Sequence, residues 1–297
     1  MPHLSAPWLM LGATFLFALM GVCVKLASAR YGAGEIVMYR SLVGAVYIVL
    51  LARWRSGSLK TAVPGMHAWR AVVGVTSLVL WFYSIGGLPL ATAMTLNYMS
   101  SVWMALFLIG GAILLGSARV DPKLVAAVLT GFAGVALVLR PTIDQQQLWH
   151  GLAGLLSGVL AALAYLQVTA LGRTGEPDYR IVFYFSVSGA LVGFVLTCIS
   201  GFGRHSWAGA GLLLAIGLLA TTAQLMMTRA YAIGRTLSNA SLQYAGIAFS
   251  FVFGVLIFND AITGMAVAGI LLIVLAGLAA TLLRARSPAP AGPADTV

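Results

Sequence analysis

Charge is scarce in this chain. Only 8% of its 297 residues are Asp, Glu, Lys or Arg, against about a quarter in soluble globular proteins. Acids are the scarcest of all: the seven are Glu35, Asp121, Asp144, Glu176, Asp178, Asp260 and Asp295. All lie at the ends of apolar segments or between them, so no membrane-centred carboxylate is available as a proton or sodium relay. The two cysteines, Cys23 and Cys198, fall inside apolar segments and read as small buried hydrophobes, not as a disulfide or metal ligands. The histidines, His3, His67, His150 and His205, stand at segment ends and form no H-E-x-x-H pattern. A G-x-x-x-x-G-K-[ST] loop and a G-x-S-x-G elbow are also missing, which excludes a nucleotide-driven pump within this chain and argues against a hydrolase. No nucleophile has a base beside it. The reading is therefore of a protein that is not an enzyme, with no catalytic residues, cofactor, metal, ATP or nucleic-acid partner.

What replaces charge is hydrocarbon. Hydrophobic residues make up 61% of the chain, with a mean hydropathy of +0.99. They fall in runs near 20 residues long, the length at which a helix crosses a hydrocarbon core of about 30 Å. The runs lack strict alternation, which disfavours a transmembrane barrel. Ten segments are expected, at 7–29, 33–53, 68–88, 91–115, 121–140, 149–172, 178–201, 208–231, 236–258 and 261–284. The first has no basic flank before it and is not read as a cleavable signal peptide. Short connections make successive segments antiparallel neighbours. The net charge of +10 comes from Lys and Arg scattered at segment ends, a topology signal and not a nucleic-acid patch. With the N-terminus inside, twelve of them (Arg53, Arg55, Lys60, Arg70, Arg119, Lys123, Arg173, Arg180, Arg229, Arg235, Arg284 and Arg286) lie on the inner side, against Arg30, Arg140 and Arg204 outside. Both termini are thus expected in the cytoplasm of a bacterial inner-membrane, multi-pass protein.

One stretch occurs twice. Tyr83–Tyr98 reads Y-S-I-G-G-L-P-L-A-T-A-M-T-L-N-Y and Tyr231–Tyr244 reads Y-A-I-G-R-T-L-S-N-A-S-L-Q-Y, about 147 residues later. A repeat at half the chain length suggests two halves of one design. Five crossings per half would make the second enter the membrane from the opposite side. The expected fold is therefore all-α, with ten transmembrane helices in two inverted five-helix repeats. The first is residues 1–146, the second 147–286, and 287–297 is a disordered tail rich in Ser, Pro, Ala and Gly. Inverted repeats are a common basis of alternating access in secondary transporters, with the substrate site at the repeat interface.

Polar and aromatic residues deep in the segments mark where such a pathway runs. Thr92, Thr95, Tyr98 and Ser101 recur on one face of the fourth segment, and Ser238, Ser241 and Tyr244 repeat the arrangement in the ninth. The competing explanation is that such hydroxyls only bond back to their own helix or join neighbouring helices. Ser77 and Trp81, with Tyr83 beside them, Phe17, Trp103, Tyr165 and Gln224 extend the set, and Asn97 and Gln243 precede the paired tyrosines. Lys25 and Arg40 fall inside segments near the outer side, where they either snorkel to headgroups or line an outer vestibule, Arg40 with Glu35 as a possible partner. Gly154-x-x-x-Gly158 and Gly189-x-x-x-Gly193 suit close helix contact, as do Gly131, Gly134, Gly269 and Gly277.

The paired L-(N/Q)-Y segments, and the Gly-rich fifth and tenth segments ending at Leu139-Arg140 and Leu283-Arg284, resemble the drug/metabolite transporter superfamily. Within it the chain is similar to the EamA-type exporters of bacteria, including those for aromatic amino acids. The resemblance spans about residues 7–284 and implies a basket-shaped transporter with a central cavity. It also implies export of small metabolites, with aromatic or other hydrophobic amino acids as the leading substrate. Other metabolites or drugs (nucleobases, amines, sugar derivatives) are the alternative cargo. A non-transporting structural or lipid-handling membrane protein is the alternative class. The sequence sets no oligomeric state and is compatible with a monomer whose partners are its small-molecule substrate and membrane lipid.

Overall fold

The computed structural model describes residues 5–114, 126, 130, 133, 134, 137, 145–234, 239, 242–261 and 263–285. The helices, in chain order, are α1 (Ala6–Ala27), α2 (Ala33–Trp54), α3 (Pro64–Gly87), α4 (Leu90–Tyr98) and α5 (Ser100–Leu114), then α6 (Gln145–Arg173), α7 (Asp178–Ser200), α8 (Trp207–Ile233), α9 (Ala245–Phe258) and α10 (Gly264–Ala285). Local chemistry sets several boundaries. Pro64 opens α3 and Pro7 lies in the first turn of α1, where a missing N–H costs nothing and the fixed φ suits a helix. The Ser206 hydroxyl caps α8 by accepting from the Gly209 N–H at 3.1 Å. Gly175, at φ +84, turns the chain from α6 towards α7, and Asn259, at φ +50, ends α9.

Helices of the first half pack mainly against helices of the second: α2 on α7, α3 on α6, and α1 on α8. Each pair is antiparallel. His150, early in α6, bonds through Nδ1 to the Tyr83 carbonyl near the end of α3. The Gln167 amide, late in α6, reaches the Met66 carbonyl at the start of α3. Exchanging the two halves maps the α1–α8 pair onto the α6–α3 pair and α2–α7 onto itself, so the bundle is inverted-repeat-like.

Glycine makes these crossings close. A Cβ on Gly193 of α7 would come within 2.5 Å of the Met38 nitrogen and 2.8 Å of the Gly34 carbonyl oxygen in α2. On Gly158 of α6 it would stand 2.6 Å from the Leu96 carbonyl oxygen of α4. Small residues of this kind let membrane helices approach until dispersion and hydrogen bonding hold them. Polarity is turned inward, with Ser41, Ser77, Asn97, Gln224 and Gln243 all buried. Val187, Leu191, Phe194 and Val195 make an exposed apolar face of α7. Some buried hydroxyls are satisfied within their own helices, as Thr95 Oγ1 donates to the Ala91 carbonyl at 2.6 Å and Thr221 Oγ1 to that of Gly217 at 2.7 Å.

The expectation of ten transmembrane helices in two five-helix repeats is corrected here. Among the described residues six helices, α1, α2, α3, α6, α7 and α8, are long and apolar enough to cross a membrane. The fourth expected span, 91–115, is divided at Met99 into helices of 9 and 15 residues. At 1.5 Å per residue neither reaches the roughly 30 Å of a hydrocarbon core. The break follows a turn in which Thr95 bonds back to its own helix, a habit that bends helices. In the ninth expected span, 236–258, the longest helix among the described residues is α9, of 14 residues. The fifth, 121–140, lies mostly outside the described residues, as do Gly131 and the tail 287–297.

Gly193→Val should lower the thermal unfolding midpoint of the detergent-purified protein, at a cost of about 1–3 kcal/mol, because the added side chain meets backbone. Gly211→Val should leave the midpoint within about 0.5 kcal/mol of the parent, since a Cβ at Gly211 meets nothing within 4 Å.

Candidate functional site

The crossed pairs enclose a cavity in the middle of the bundle. Helix α3 contributes Arg70, Gly74, Ser77, Leu78 and Trp81, a spacing that keeps one helical face towards the interior. Helix α1 presents Met10, Thr14 and Phe17 at the same spacing. Arg40 comes from α2, Asn97 and Tyr98 from α4, Ala161, Ala164 and Tyr165 from α6, Phe185 from α7, and Gln224 and Met227 from α8; Gln243 completes the wall. The cavity volume is about 40 Å³, room for a few waters at most. A metabolite enters only if the helices part.

Two cations dominate it. Arg40 is 4% exposed and Arg70 3%, and both face the ring of Phe185, with guanidinium carbons 5.2 and 4.2 Å from its centroid. Gly74 makes room for Arg70, because a Cβ there would overlap the guanidinium. Arg40 Nε, Arg70 Nε and Arg70 Nη1 are buried without a hydrogen-bond partner. Among the described residues no carboxylate pairs with either. Removing an ion from water costs several kcal/mol even after relaxation, and a cation–π contact returns about 0.5–2 kcal/mol. Phe185 alone therefore does not offset the burial of two guanidinium groups.

Of the residues singled out from the sequence, Phe17, Ser77, Trp81, Asn97, Tyr98, Tyr165, Gln224 and Gln243 meet at this cavity. Ser77 Oγ donates to the Ser157 carbonyl at 2.8 Å and Asn97 Nδ2 to Ser157 Oγ at 3.0 Å, so α6 holds both. Tyr165 stacks on Tyr231, 5.5 Å between centroids, and Tyr231 Oη accepts from Gln243 Nε2 at 3.1 Å. Other residues lie elsewhere. Tyr83 is 43% exposed and stacks on His150. Thr95 is spent on its own helix, Trp103 stacks on Phe107, and Tyr244 is buried outside the cavity walls. Ser241 lies outside the described residues. Arg40, read from sequence as either snorkelling to headgroups or lining an outer vestibule with Glu35 as partner, faces the cavity. Lys25 forms an ion pair with Asp260 at 3.0 Å.

Sequence reasoning missed Arg70, Phe185, Met10, Thr14, Gly74 and Met227. Arg70 was legible in one respect: Pro64 signals an earlier helix start than residue 68, which moves Arg70 from a flank to the second turn.

The first half of the chain, residues 4–140, matches the EamA-like transporter family model. The pseudopaline exporter CntI of Pseudomonas aeruginosa is 33% identical over 267 residues, covering 90% of this chain and 92% of that protein. The chain belongs to the EamA-like transporter family. An uncharacterized transporter of Helicobacter pylori is 26% identical over 90% of this chain and 91% of its own length. A riboflavin transporter of Rhizobium johnstonii is 28% identical over 61% of this chain and 58% of its own. A solved crystal structure superposes with a TM-score of 0.67 at 19% identity, over 95% of this chain and 99% of that chain, which shows a shared fold. As an EamA-family protein the chain is a multi-pass membrane transporter of small molecules and not an enzyme. No comparison singles out aromatic amino acids as cargo.

Polar clusters close both ends of this transporter. At one end Asp260 accepts from Lys25 and, through Oδ2, from the Leu90 N–H at 2.9 Å, which ties α1 and the start of α4 to the turn after α9. At the same end Glu35 accepts from the Gly203 N–H at 2.9 Å and lies 3.2 Å from His205 Nε2, itself 2.9 Å from the Tyr39 hydroxyl. At the other end Glu176 gathers the Thr61 hydroxyl at 2.8 Å, Arg180 Nη1 at 3.1 Å and His67 Nε2 at 3.3 Å. Burial pushes the Glu176 carboxyl up, but hydrogen bonds from Thr61, Arg180 and His67, with the charge of Arg180, outweigh it and hold the group below the usual carboxylate range.

A carboxyl whose pKa is depressed on folding contributes stability above its unfolded value, and that contribution is lost as pH falls through the folded one. Glu176→Gln should therefore lower the thermal midpoint at pH 7. The difference from the parent should shrink below about pH 4.3, the ordinary value for glutamate, and vanish at lower pH. Midpoints measured from pH 3 to pH 8 check this.

Proposed function

We propose that this transporter exports small amphiphilic metabolites across a bacterial inner membrane by alternating access, with aromatic or other hydrophobic amino acids as the first class to examine. One observation carries the reading: a small mid-bundle cavity, walled by rings and amides from both halves of the chain, lies between polar clusters at either end. Opening the Lys25–Asp260 and Glu35–His205 contacts while the Glu176 cluster stays shut exposes the cavity to one side, and the converse exposes it to the other. Trp81, Phe17, Tyr98 and Tyr165 offer ring contacts to an apolar cargo, and Asn97, Gln224 and Gln243 offer it hydrogen bonds.

Outward direction is supported by the exporter of Pseudomonas aeruginosa, whose likeness runs over nine-tenths of the chain. Orientation is supported by charge. The end with Glu176 carries Arg53, Arg55, Lys60, Arg173, Arg180 and Arg229, and the opposite end carries Lys25, Arg30 and Arg204, an asymmetry that favours the cytoplasm for the first end by the positive-inside rule. Helix α1 begins at that end too. The relatives are named for unlike cargoes, pseudopaline and riboflavin, so cargo is a matter for this chain's own cavity walls.

Reconstituted protein should move labelled Phe or Trp across liposomes faster than protein-free liposomes do. Trp81→Ala should slow that movement at least about tenfold, the effect of losing roughly 1.4 kcal/mol of binding, while the protein stays folded by size-exclusion chromatography. No movement across a panel of amino acids, nucleobases, amines and sugar derivatives would sink the transport reading in favour of a structural or lipid-handling role.

A further inference from the structure

We infer that the cavity is an anion site and that its cargo is a small organic acid with two carboxylates on a largely apolar body. The inference rests on the cavity being the cargo site; among the small amphiphilic metabolites proposed above, it ranks doubly anionic acids ahead of zwitterionic amino acids. Arg40 and Arg70 are each more than nine-tenths buried; both side chains line the cavity, and Arg40 Nε, Arg70 Nε and Arg70 Nη1 have no hydrogen-bond partner. Every described acid is engaged elsewhere. Glu35 holds Gly203, Glu176 holds Thr61 and Arg180, Asp260 holds Lys25, and Asp178 accepts from the Tyr179 N–H. Among the described residues nothing supplies the counter-charge of the two guanidinium groups, which is assigned here to the cargo.

The remaining unpartnered wall atoms point the same way. Trp81 Nε1 and the Tyr98 hydroxyl are further donors without a partner, whereas Gln243 Oε1 is an acceptor without one. A ligand that satisfies this inventory is rich in acceptors and carries one donor, as an acid with an amine or hydroxyl does. Guanidinium binds a carboxylate through paired N–H donors. The donors come from α2, α3 and α4, so they favour acceptors spread along a molecule over the single compact centre of a phosphate. The rings of Phe17 and Phe185 and the side chains of Met10 and Met227 suit an apolar body between them.

The experiment measures binding without transport. The full chain is placed in nanodiscs of phosphatidylcholine alone, which keeps anionic headgroups away from the arginines, and is titrated by calorimetry at pH 7. The probes are benzylsuccinate, hydrocinnamate, phenylalaninamide and phenyl phosphate, which share a ring and differ in charge. Benzylsuccinate should bind at least about tenfold more tightly than hydrocinnamate, and phenylalaninamide should not bind. Arg40→Gln and Arg70→Gln should each abolish most of the preference for two carboxylates. Arg40→Lys and Arg70→Lys keep the charge, guard against a folding defect and should retain part of it. Equal affinity for the amide and the dicarboxylate, an unchanged preference in both glutamine variants, or no binding by any acid would overturn the inference. Phenyl phosphate binding as tightly as benzylsuccinate would overturn the dicarboxylate assignment. Liposome transport of neutral or zwitterionic cargo despite any of these results would leave the transport reading standing on its own.

Discussion

Two guanidinium groups lie in the interior of a bundle whose outside is hydrocarbon, and the placement of many other side chains follows from keeping them there. Neither has a carboxylate partner among the described residues, so both depend on the Phe185 ring and on the small solvent space beside it. Gly74 exists as glycine where any side chain would strike Arg70. The close approach of α7 to α2, at Gly193 and Gly34, brings Phe185 and Arg40 to one place. A larger residue at either glycine would separate the ring from the cation as well as the helices.

The same constraint explains why the acids stand where they do. In lipid an isolated carboxylate is as costly as an isolated guanidinium, and the described acids are all at helix ends where backbone N–H groups and basic side chains meet them. Glu176, Glu35 and Asp260 each join elements distant in sequence, so the charges that close the ends are kept apart from those that line the middle. This separation suits a transporter. Under the proposed alternating access, the closures would exchange partners with water as an end opens, while the central cations would keep a fixed site for the cargo.

Much of the candidate site was legible in sequence because helical spacing and the cost of burying polar groups leave few options. Trp81, Tyr98, Asn97, Tyr165 and Gln224 sit deep within apolar runs, and a deep polar or amphipathic side chain turns towards protein. Tyr83, Thr95, Trp103 and Tyr244 obey the same pattern yet lie off the cavity. The sequence cannot tell a hydroxyl that meets the pathway from one that bonds to its own helix, as Thr95 does. Arg70 escaped notice because an arginine a turn or two from a helix start looks like a topology charge. Only packing shows that its side chain runs inward over Phe185.

Composition and run length alone determined that this is an all-α protein of the membrane with polar groups turned inward, since hydrocarbon tolerates few other arrangements. The repeated Y-x-I-G and L-(N/Q)-Y stretches suggested two related halves, and the α1–α8 and α3–α6 pairings make the bundle inverted-repeat-like, although the five crossings per half that would reverse the second half are not found among the described residues. Tertiary structure decided the rest. It divided the fourth expected span at Met99, paired Lys25 with Asp260 over 235 positions of sequence, and placed Arg40 at the central cavity. These outcomes depend on which helices cross and how closely, and that is set by glycines and back-bonded hydroxyls whose effect appears only when a second helix lies against them.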